Sequence, residues 1–313
     1  MKLKTIPALG ATAAALGAGG AYALYRYIFY SPVGAQNDDH ALVLPYRSEE
    51  TRQHVRELID KLNARPCERV HITSFDGLRL AGRYYHTRNG APLAILCHGY
   101  RGTPSRDFCG GADICLTAGY NVLLIEQRAH CSSEGHAISF GVNERRDVSD
   151  WARWAVERFG PEVKILLVGI SMGAATVLMA SELDLPANVR GIIADCPYTS
   201  PKEIIMDVGR QQGFPAGLMW PVAKLGARVF GGFTADAAGA ITAVPHAKVP
   251  ILLIHGEADD FVPCDMGRAI AAANPDKIEF HIFPSARHGV SYLVDTERYT
   301  KIVTEFCERV LKE

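Results

Sequence analysis

The sequence lacks the features that mark several large classes of protein. It has no basic run, and its 33 lysines and arginines nearly balance its 34 aspartates and glutamates, for a formal net charge of −1. A chain with no excess of positive charge has no electrostatic basis for binding nucleic acid. It has no C-x-x-C pair, and His130, Cys131 and His136 match no recognised metal-ligand spacing. We expect no metal and no cofactor.

The cysteines are spread along the chain and predict free thiols. Their positions show no regular spacing, and Cys97, Cys115 and Cys196 lie in or beside apolar runs, where a cysteine packs as a small hydrophobic side chain. This pattern favours a reducing compartment, although an even number of cysteines leaves disulfides open. No internal repeat is visible, and 313 residues suffice for one large domain or two modest ones.

Residues 1–30 have the pattern of a segment directed to a membrane. Thr5 to Tyr25 is a run of 21 residues without a charge, close to the ~20 residues that cross a bilayer, and aromatic residues follow it. Lys2 and Lys4 precede the run, which predicts a single anchor with the rest of the chain outside the cytoplasm. The alternative is a cleaved signal, with Ala21-Tyr22-Ala23 as the cleavage motif. The cysteine content argues against the outside placement.

The remaining residues predict a linker, an amphipathic helix and one α/β domain. Residues 31–68 form the linker and contain a helix that starts at Ser48-x-x-Thr51. Residues 69–313 begin with a two-residue hairpin turn at Asp76-Gly77 and continue with strands that alternate with helices. That order predicts an α/β fold whose mostly parallel central sheet is covered by helices on both faces. The rhythm breaks at about 197–247, where we expect a small helical lid insertion.

A candidate nucleophile lies where a predicted strand passes into a predicted helix. The apolar run from Val163 to Val168 leads directly into Gly169-Ile170-Ser171-Met172-Gly173. A serine in this G-x-S-x-G pattern sits on a sharp strand-to-helix turn, and the flanking glycines let neighbouring backbone approach. Ser171 is therefore the candidate nucleophile, and the Met172 N–H is a candidate donor to an oxyanion.

Two residues further along the chain complete a candidate catalytic triad. A serine needs a base, and the base needs an acid that orients it. His288 and Asp259 each follow a predicted strand, and open α/β sheets place their sites at the carboxyl ends of strands. They are the candidate base and acid. The rival acids are Asp260, which adjoins Asp259, and Asp195, which ends the strand after the serine.

An oxyanion hole needs a second N–H donor, and an early loop can supply it. Cys97-His98-Gly99-Tyr100 follows the predicted strand from Pro92 to Cys97, and its glycine lets the backbone come close. The Tyr100 N–H is the candidate donor. His98 and His255 each precede a glycine at the end of a strand, and we interpret both as loop residues.

The motifs together resemble those of the α/β-hydrolase superfamily over residues 69–313. The stretch from Glu126 to Gly135 is similar to the D-x-R-G-x-G-x-S segment of its esterase, lipase and serine-aminopeptidase-like members, although Ala129 and Cys131 stand where glycines are common. The resemblance implies the α/β-hydrolase fold and hydrolysis of carboxylic esters. It rests on His98-Gly99, Gly169-x-Ser171-x-Gly173, His255-Gly256-x-x-Asp259 and His288-Gly289, and the motifs Ser139-Phe140-Gly141 and Asp195-Cys196-x-Tyr198-Thr199-Ser200 are similar to bacterial membrane-anchored members of undefined substrate.

The main hypothesis is a serine carboxylesterase. Ser171 attacks the ester, His288 moves the proton and Asp259 orients the imidazole. The expected partners are a small-molecule or lipid-like acyl ester and, through the N-terminal segment, a membrane. An acyl-thioesterase or a serine aminopeptidase-like enzyme with the same triad is one alternative, and a membrane-tethered binding module without turnover is another. The sequence leaves the acyl length and the oligomeric state open.

Overall fold

In a computed structural model of the chain, residues 5–32, 34, 35, 39 and 48–312 are described, with the backbone alone for residues 5–16. Lys2, Lys4 and twelve residues of the predicted linker segment 31–68 lie outside these residues. The strands of the described chain are β1 (Glu68–Thr73), β2 (Arg79–Tyr85), β3 (Leu93–Cys97), β4 (Asn121–Glu126), β5 (Ile165–Ile170), β6 (Val189–Asp195), β7 (Ile251–Gly256) and β8 (Ile278–Phe283). The α-helices are α1 (Thr5–Ile28), α2 (Glu49–Asn63), α3 (Pro104–Thr117), α4 (Glu144–Phe159), α5 (Met172–Ala180), α6 (Pro201–Gln211), α7 (Ala216–Phe230), α8 (Ala240–Ala243), α9 (Cys264–Ala273), α10 (Ser291–Val294) and α11 (Thr296–Lys312).

All of these strands belong to a single sheet in the order β1-β2-β4-β3-β5-β6-β7-β8. β2 is antiparallel to both β1 and β4, and the remaining neighbours in the sheet are parallel. The mostly parallel sheet predicted from the sequence is therefore confirmed. Because parallel strands end at the same edge, the loops after β3, β5, β7 and β8 meet at one end of the sheet.

Helices cover both faces of the sheet, as the apolar strands require. In β5, Ile165 and Leu167 point into the larger core, which also holds buried side chains of α4 and α5. The side chain between them, Leu166, points into a smaller core beneath α11. In β3, Ala94 and Leu96 pack on this second face against α3. Alternate strand residues thus face opposite layers of helices.

The predicted hairpin forms, but its turn is longer than two residues. Thr73 pairs with Arg79, which leaves residues 74–78 in the turn. The Ser74 N–H donates to the Leu78 carbonyl over 2.8 Å, and the Leu78 N–H donates to the Ser74 hydroxyl over 2.9 Å. These two bonds fix the wider turn, so the prediction of a two-residue turn is wrong.

The last helix predicted within Ser291 to Leu311 is divided in two. α10 ends at Val294, and Asp295 adopts a non-helical conformation with φ −147° and ψ 77°. Its carboxylate accepts a hydrogen bond from the Arg298 N–H over 3.0 Å. This is the bond of an N-terminal helix cap, and it marks the start of α11.

The segment between β6 and β7 consists of α6, α7, α8 and a short 3-10 helix at Val244–His246. Ser200 caps α6 by accepting a hydrogen bond from the Glu203 N–H over 3.2 Å, and Pro201 occupies the first turn. α6 and α7 lie beside the end of the sheet that carries Ser171. The lid insertion was expected in this segment.

The end of α1 packs into the same core as the sheet. Tyr25, Ile28 and Phe29 are buried, and the Phe29 ring meets those of Phe140 and Phe233 edge-on, at centroid distances of 5.8 and 5.4 Å. No helix in the described part of the chain has the length and hydropathy needed to span a membrane. The predicted transmembrane anchor therefore finds no support here, and the placement of the domain outside the cytoplasm stays a prediction.

Candidate active site

Ser171 sits on a strained turn between β5 and α5. Its φ of 54° and ψ of −116° are sparsely populated by residues with a side chain. A Cβ at Gly169 would lie 2.2 Å from the Gly173 carbonyl oxygen, and one at Gly173 would lie 1.8 Å from the Cys97 carbonyl oxygen. Only glycine fits these two positions, and their close packing holds the half-buried serine at the tip of the turn.

His288 connects Ser171 to Asp259 through two hydrogen bonds. Its Nε2 lies 2.8 Å from the Ser171 Oγ, and its Nδ1 lies 2.8 Å from the Asp259 Oδ2. A carboxylate only accepts, so Nδ1 carries the proton and Nε2 is free to take the proton of the serine hydroxyl. The structure thus brings together the three side chains that the sequence singled out, in the geometry of a nucleophile, a base and an orienting acid.

Asp259 is held as a carboxylate by several donors. Its Oδ1 accepts from the N–H groups of Phe261 and Val262, over 2.9 and 2.8 Å. The His255 Nε2 lies 3.5 Å from the second oxygen and 3.0 Å from the Val262 carbonyl. Burial disfavours the charge, but the hydrogen bonds from His255 and His288 outweigh it and hold the pKa of Asp259 well below its usual range. The carboxylate is therefore ionised at neutral pH.

The rival acids have other partners. The Asp195 carboxylate accepts from the Tyr299 hydroxyl over 3.1 Å, and its second oxygen has no hydrogen-bond partner within the described chain. Burial raises the pKa of Asp195 to about 6, against the lowering effect of the Tyr299 bond. Asp260 forms an ion pair with the Arg287 guanidinium. Neither carboxylate contacts the His288 ring.

The two candidate oxyanion donors lie on either side of the serine. A Cβ at Gly99 would be 3.4 Å from the Ser171 Cβ, so the loop that carries Tyr100 passes directly beside the nucleophile. Met172 is the first residue of α5, and its N–H therefore has no acceptor inside the helix. Their role as oxyanion donors stays a prediction.

The loop after β4 holds the candidate oxyanion loop in place, which the sequence did not reveal. The Arg101 N–H donates to the His130 Nε2 over 3.0 Å, and the Gln127 N–H donates to the His98 Nε2 over 3.1 Å. Both histidines are buried. In the sequence, His98 is marked only by the glycine that follows it, and His130 only by its place at the end of Glu126-Gln127-Arg128-Ala129-His130. Neither pattern indicates that the two loops meet.

The same loop is pinned to α4 by a buried ion pair. The Arg128 guanidinium donates to both oxygens of Asp147, over 2.7 and 2.6 Å, and also to both oxygens of Asp76. Ala129 and Cys131, which occupy positions where glycines are common, have φ angles of 58° and 48°. The loop therefore keeps the left-handed backbone that glycine favours, and this conformation is strained for Ala129 and Cys131 because each has a Cβ.

An apolar cavity of about 220 Å³ opens above Ser171. Side chains of α6 and α7 line one side of it, among them Ile204, Ile205 and Met219. Leu24 and Ile28 of α1 line another side. The sequence predicted an aromatic and apolar lid here, and it gave no sign that the N-terminal helix also reaches the site.

A single group of side chains in the described chain brings metal-ligating atoms together. It consists of Cys196, Asp259 and His288, whose ligand atoms lie within 4.8 Å of one another. Asp259 and His288 are already hydrogen-bonded to each other, and burial, followed by the charges of Asp195 and Asp259, raises the pKa of Cys196 well above its usual range. A protonated thiol is a poor metal ligand, so the group fits an acid and base pair better than a metal centre. No disulfide joins any of the eight cysteines.

Comparison with known proteins agrees with the fold described above. The family profile described as alpha/beta hydrolase fold matches residues 92–219. The uncharacterized protein YqkD of Bacillus subtilis is 23% identical over 240 residues, which are 76% of this chain and 78% of that protein. An esterase of Pyrococcus furiosus superimposes with a TM-score of 0.67 at 21% identity, covering 80% of this chain and 93% of the esterase. The chain has the α/β-hydrolase fold.

A further similar protein carries an activity in its name. Lysophosphatidylserine lipase ABHD12 of Danio rerio is 24% identical over 238 residues, which are 69% of this chain and 58% of that protein. The profile match of the α/β-hydrolase fold includes Tyr100 and Ser171 but ends before Asp259 and His288. The assignment of the acid and the base therefore rests on their contacts with Ser171 and with each other.

Proposed function

We propose that this protein cleaves carboxylic esters through an acyl-enzyme on Ser171. The observation that carries the proposal is the hydrogen-bonded chain from Asp259 through His288 to Ser171, with 2.8 Å at both ends of the imidazole. This chain ends at an apolar cavity that can receive an acyl group. The esterase and the lipase among the similar proteins support the same substrate class.

Acylation follows from the positions of the three side chains. The Ser171 oxygen attacks the ester carbonyl carbon while its proton passes to Nε2 of His288. Asp259 keeps the proton of Nδ1 in place and stabilises the imidazolium that forms. The imidazolium then donates its proton to the leaving alcohol, and the acyl group remains on Ser171.

Deacylation repeats these steps with water. His288 takes a proton from the water as it attacks the acyl carbonyl, and returns the proton to the serine oxygen as the carboxylic acid leaves. In both halves of the reaction, the N–H groups of Tyr100 and Met172 are proposed to bind the negative oxygen of the tetrahedral intermediate. The helical segment between β6 and β7 is proposed to act as the lid of the acyl cavity.

The cavity favours an acyl group over a substrate with a free amino terminus. An aminopeptidase needs a group that holds the ammonium of its substrate. None of the side chains that line the cavity, all of them in the described chain, is a carboxylate, and the charged one among them, Arg101, is a cation. An ammonium would be repelled there. A thioester suits the same triad, and the experiment below separates it from an ester.

The test compares three variants with the wild type. Ser171→Ala and Asp259→Asn are expected to lower kcat for p-nitrophenyl butyrate by roughly 10⁴-fold, because they remove the nucleophile and the group that fixes the tautomer of His288. Asp195→Asn is the matched control and is expected to keep most of the activity, because its side chain does not contact His288. Thermal unfolding checks that each variant is folded.

A fluorophosphonate probe and a thioester series complete the test. The probe should label wild type and Asp195→Asn, and it should not label Ser171→Ala. Substantial ester turnover by Ser171→Ala would overturn the proposal. Labelling of Ser171 with turnover of acyl thioesters alone would replace the ester with a thioester, and absence of labelling in folded wild type would favour a binding module.

A further inference from the structure

The N-terminal helix forms part of the wall of the cavity above Ser171. Leu24, Tyr27 and Ile28 of α1 line this cavity, together with side chains of α6 and α7. Ile28 is 8% exposed, so it belongs to the interior of the protein. A substrate in the cavity would contact α1 as well as the segment between β6 and β7.

The last turn of α1 is bound by the loop that carries the candidate oxyanion donor. The Tyr100 hydroxyl donates to the Ile28 carbonyl over 2.7 Å. The Arg101 guanidinium donates to the carbonyls of Tyr27 and Tyr30, over 3.0 and 3.2 Å. The final carbonyls of a helix have no partner inside it, and these side chains supply one. The helix end and the catalytic loop therefore hold each other in position.

A close contact with α7 fixes the position of α1 beside the cavity. A Cβ at Gly226 would lie 2.3 Å from the Ala21 carbonyl oxygen and 3.1 Å from the Tyr25 Cβ. Glycine at this position lets the two helices approach closely. The Tyr27 hydroxyl also donates to the Gln212 side chain over 3.1 Å, at the end of α6. α1 thus spans the site from the oxyanion loop to the lid segment.

The size of the cavity indicates an acyl chain of medium length. Its volume is about 220 Å³, and an apolar cavity of about 150 Å³ is large enough to bind benzene, a molecule of six carbons. The cavity therefore has room for a hydrocarbon chain of at least about six carbons. Most of the side chains that line the cavity are aliphatic or aromatic, so burial of a hydrocarbon chain is favourable along most of its length.

We propose that α1 is a specificity-determining wall of the acyl pocket and that Leu24 limits the length of the chain that the enzyme accepts. The favoured substrates are esters of medium-chain fatty acids. This inference rests on the proposed function of Ser171, and it assigns to the N-terminal helix a role in the site itself.

The test changes the volume of the pocket from the α1 side. Leu24→Trp fills the pocket and should lower kcat/KM for p-nitrophenyl octanoate by roughly tenfold or more relative to the acetate ester. Leu24→Ala enlarges the pocket and should move the optimum of an acetate-to-dodecanoate series to longer chains. Ala23→Trp is the matched control, because Ala23 is exposed on the same helix and does not line the cavity. Its profile should follow that of the wild type.

A second measurement separates this inference from the proposed function. Alkyl fluorophosphonates of graded chain length label a reactive serine whether or not esters are turned over, so their labelling rates report the shape of the pocket alone. Opposite shifts in the Leu24→Trp and Leu24→Ala labelling profiles would support the wall even if the wild type hydrolysed no ester. Profiles parallel to those of the wild type and Ala23→Trp, in folded protein, would overturn it.

Discussion

Two buried histidines support the loop next to the nucleophile. The rings of His98 and His130 meet edge to face with centroids 4.7 Å apart. The His130 Nε2 accepts a hydrogen bond from the Arg101 N–H, which requires that nitrogen to be unprotonated. Burial, and then the neighbouring His98, lower the pKa of His130 to about 3. The ring is therefore neutral at pH 7 and serves as an acceptor for the backbone of the loop.

The lowered pKa of His130 predicts a loss of stability in acid. An unfolded histidine titrates near 6.5, above the folded value of about 3, so the stabilisation is complete above pH 6.5 and falls as the pH drops from there towards 3. Urea unfolding should show a loss of about 1.5 kcal/mol from this group between pH 6.5 and 5. His130→Gln should flatten the dependence, and His54→Gln, on the exposed face of α2, should not. Equal slopes in all three proteins would contradict the assignment.

The candidate triad could be predicted from the sequence because each member has a local signal. Ser171 lies in a G-x-S-x-G turn, and Asp259 and His288 each follow an apolar strand beside a glycine motif. The contact between His98 and His130 had no such signal. They belong to different loops and meet only when β3 and β4 lie side by side in the sheet. Residue patterns within one segment do not contain that information.

Element boundaries followed the sequence where periodicity decides them. β8 has the predicted bounds Ile278–Phe283, and α2 begins at the predicted Ser48 cap, whose hydroxyl accepts from the Thr51 N–H. The two local errors both come from a side-chain oxygen that bonds to nearby backbone. Ser74 widens the hairpin turn and Asp295 divides the last helix. Hydrophobic spacing does not report such bonds.

The close approach of α5 to β3 depends on Gly173. A methyl group there would lie 1.8 Å from the Cys97 carbonyl oxygen, and β3 cannot move without disturbing its pairs on both sides. We expect Gly173→Ala to lower the free energy of unfolding by ~3 kcal/mol or more, seen as a lower thermal midpoint. Gly217→Ala, on α7 with no atom within 4 Å of the new methyl, should instead add about 0.5–1 kcal/mol. A Gly173→Ala protein with the same thermal midpoint as the wild type would rule out this packing.

At the scale of the whole molecule, the last turns of the N-terminal helix pack into the core. A run without charges has the composition of a membrane segment, and this composition predicts that residues 1–30 are separate from the domain. Composition does not distinguish a helix that faces lipid from one whose last turns face a protein core. The difference became visible only when α1 was seen against α7, with Phe29 fully buried beside Phe140 and Phe233.

Removing the Phe29 ring should destabilise the whole domain. The side chain is 0% exposed and belongs to the same core as the central strands. We expect Phe29→Ala to lower the free energy of unfolding by about 3–5 kcal/mol, as for other buried aromatic residues. Tyr22→Ala in α1 is the control, because this side chain is 47% exposed, and the substitution should cost less. If α1 were an independent segment, the thermal midpoint of Phe29→Ala would equal that of the wild type.

The distribution of cysteines allows local unfolding of the molecule to be measured by thiol labelling. The thiol of Cys67, directly before β1, is exposed, whereas the other seven cysteine side chains are buried. A maleimide dye would therefore react quickly with a single thiol of the native protein, and every later reaction would time the opening of a particular layer. Cys97 and Cys196 would mark the strands around the nucleophile, and Cys307 would mark α11. The order in which dye enters would rank these layers from the loosest to the most rigid.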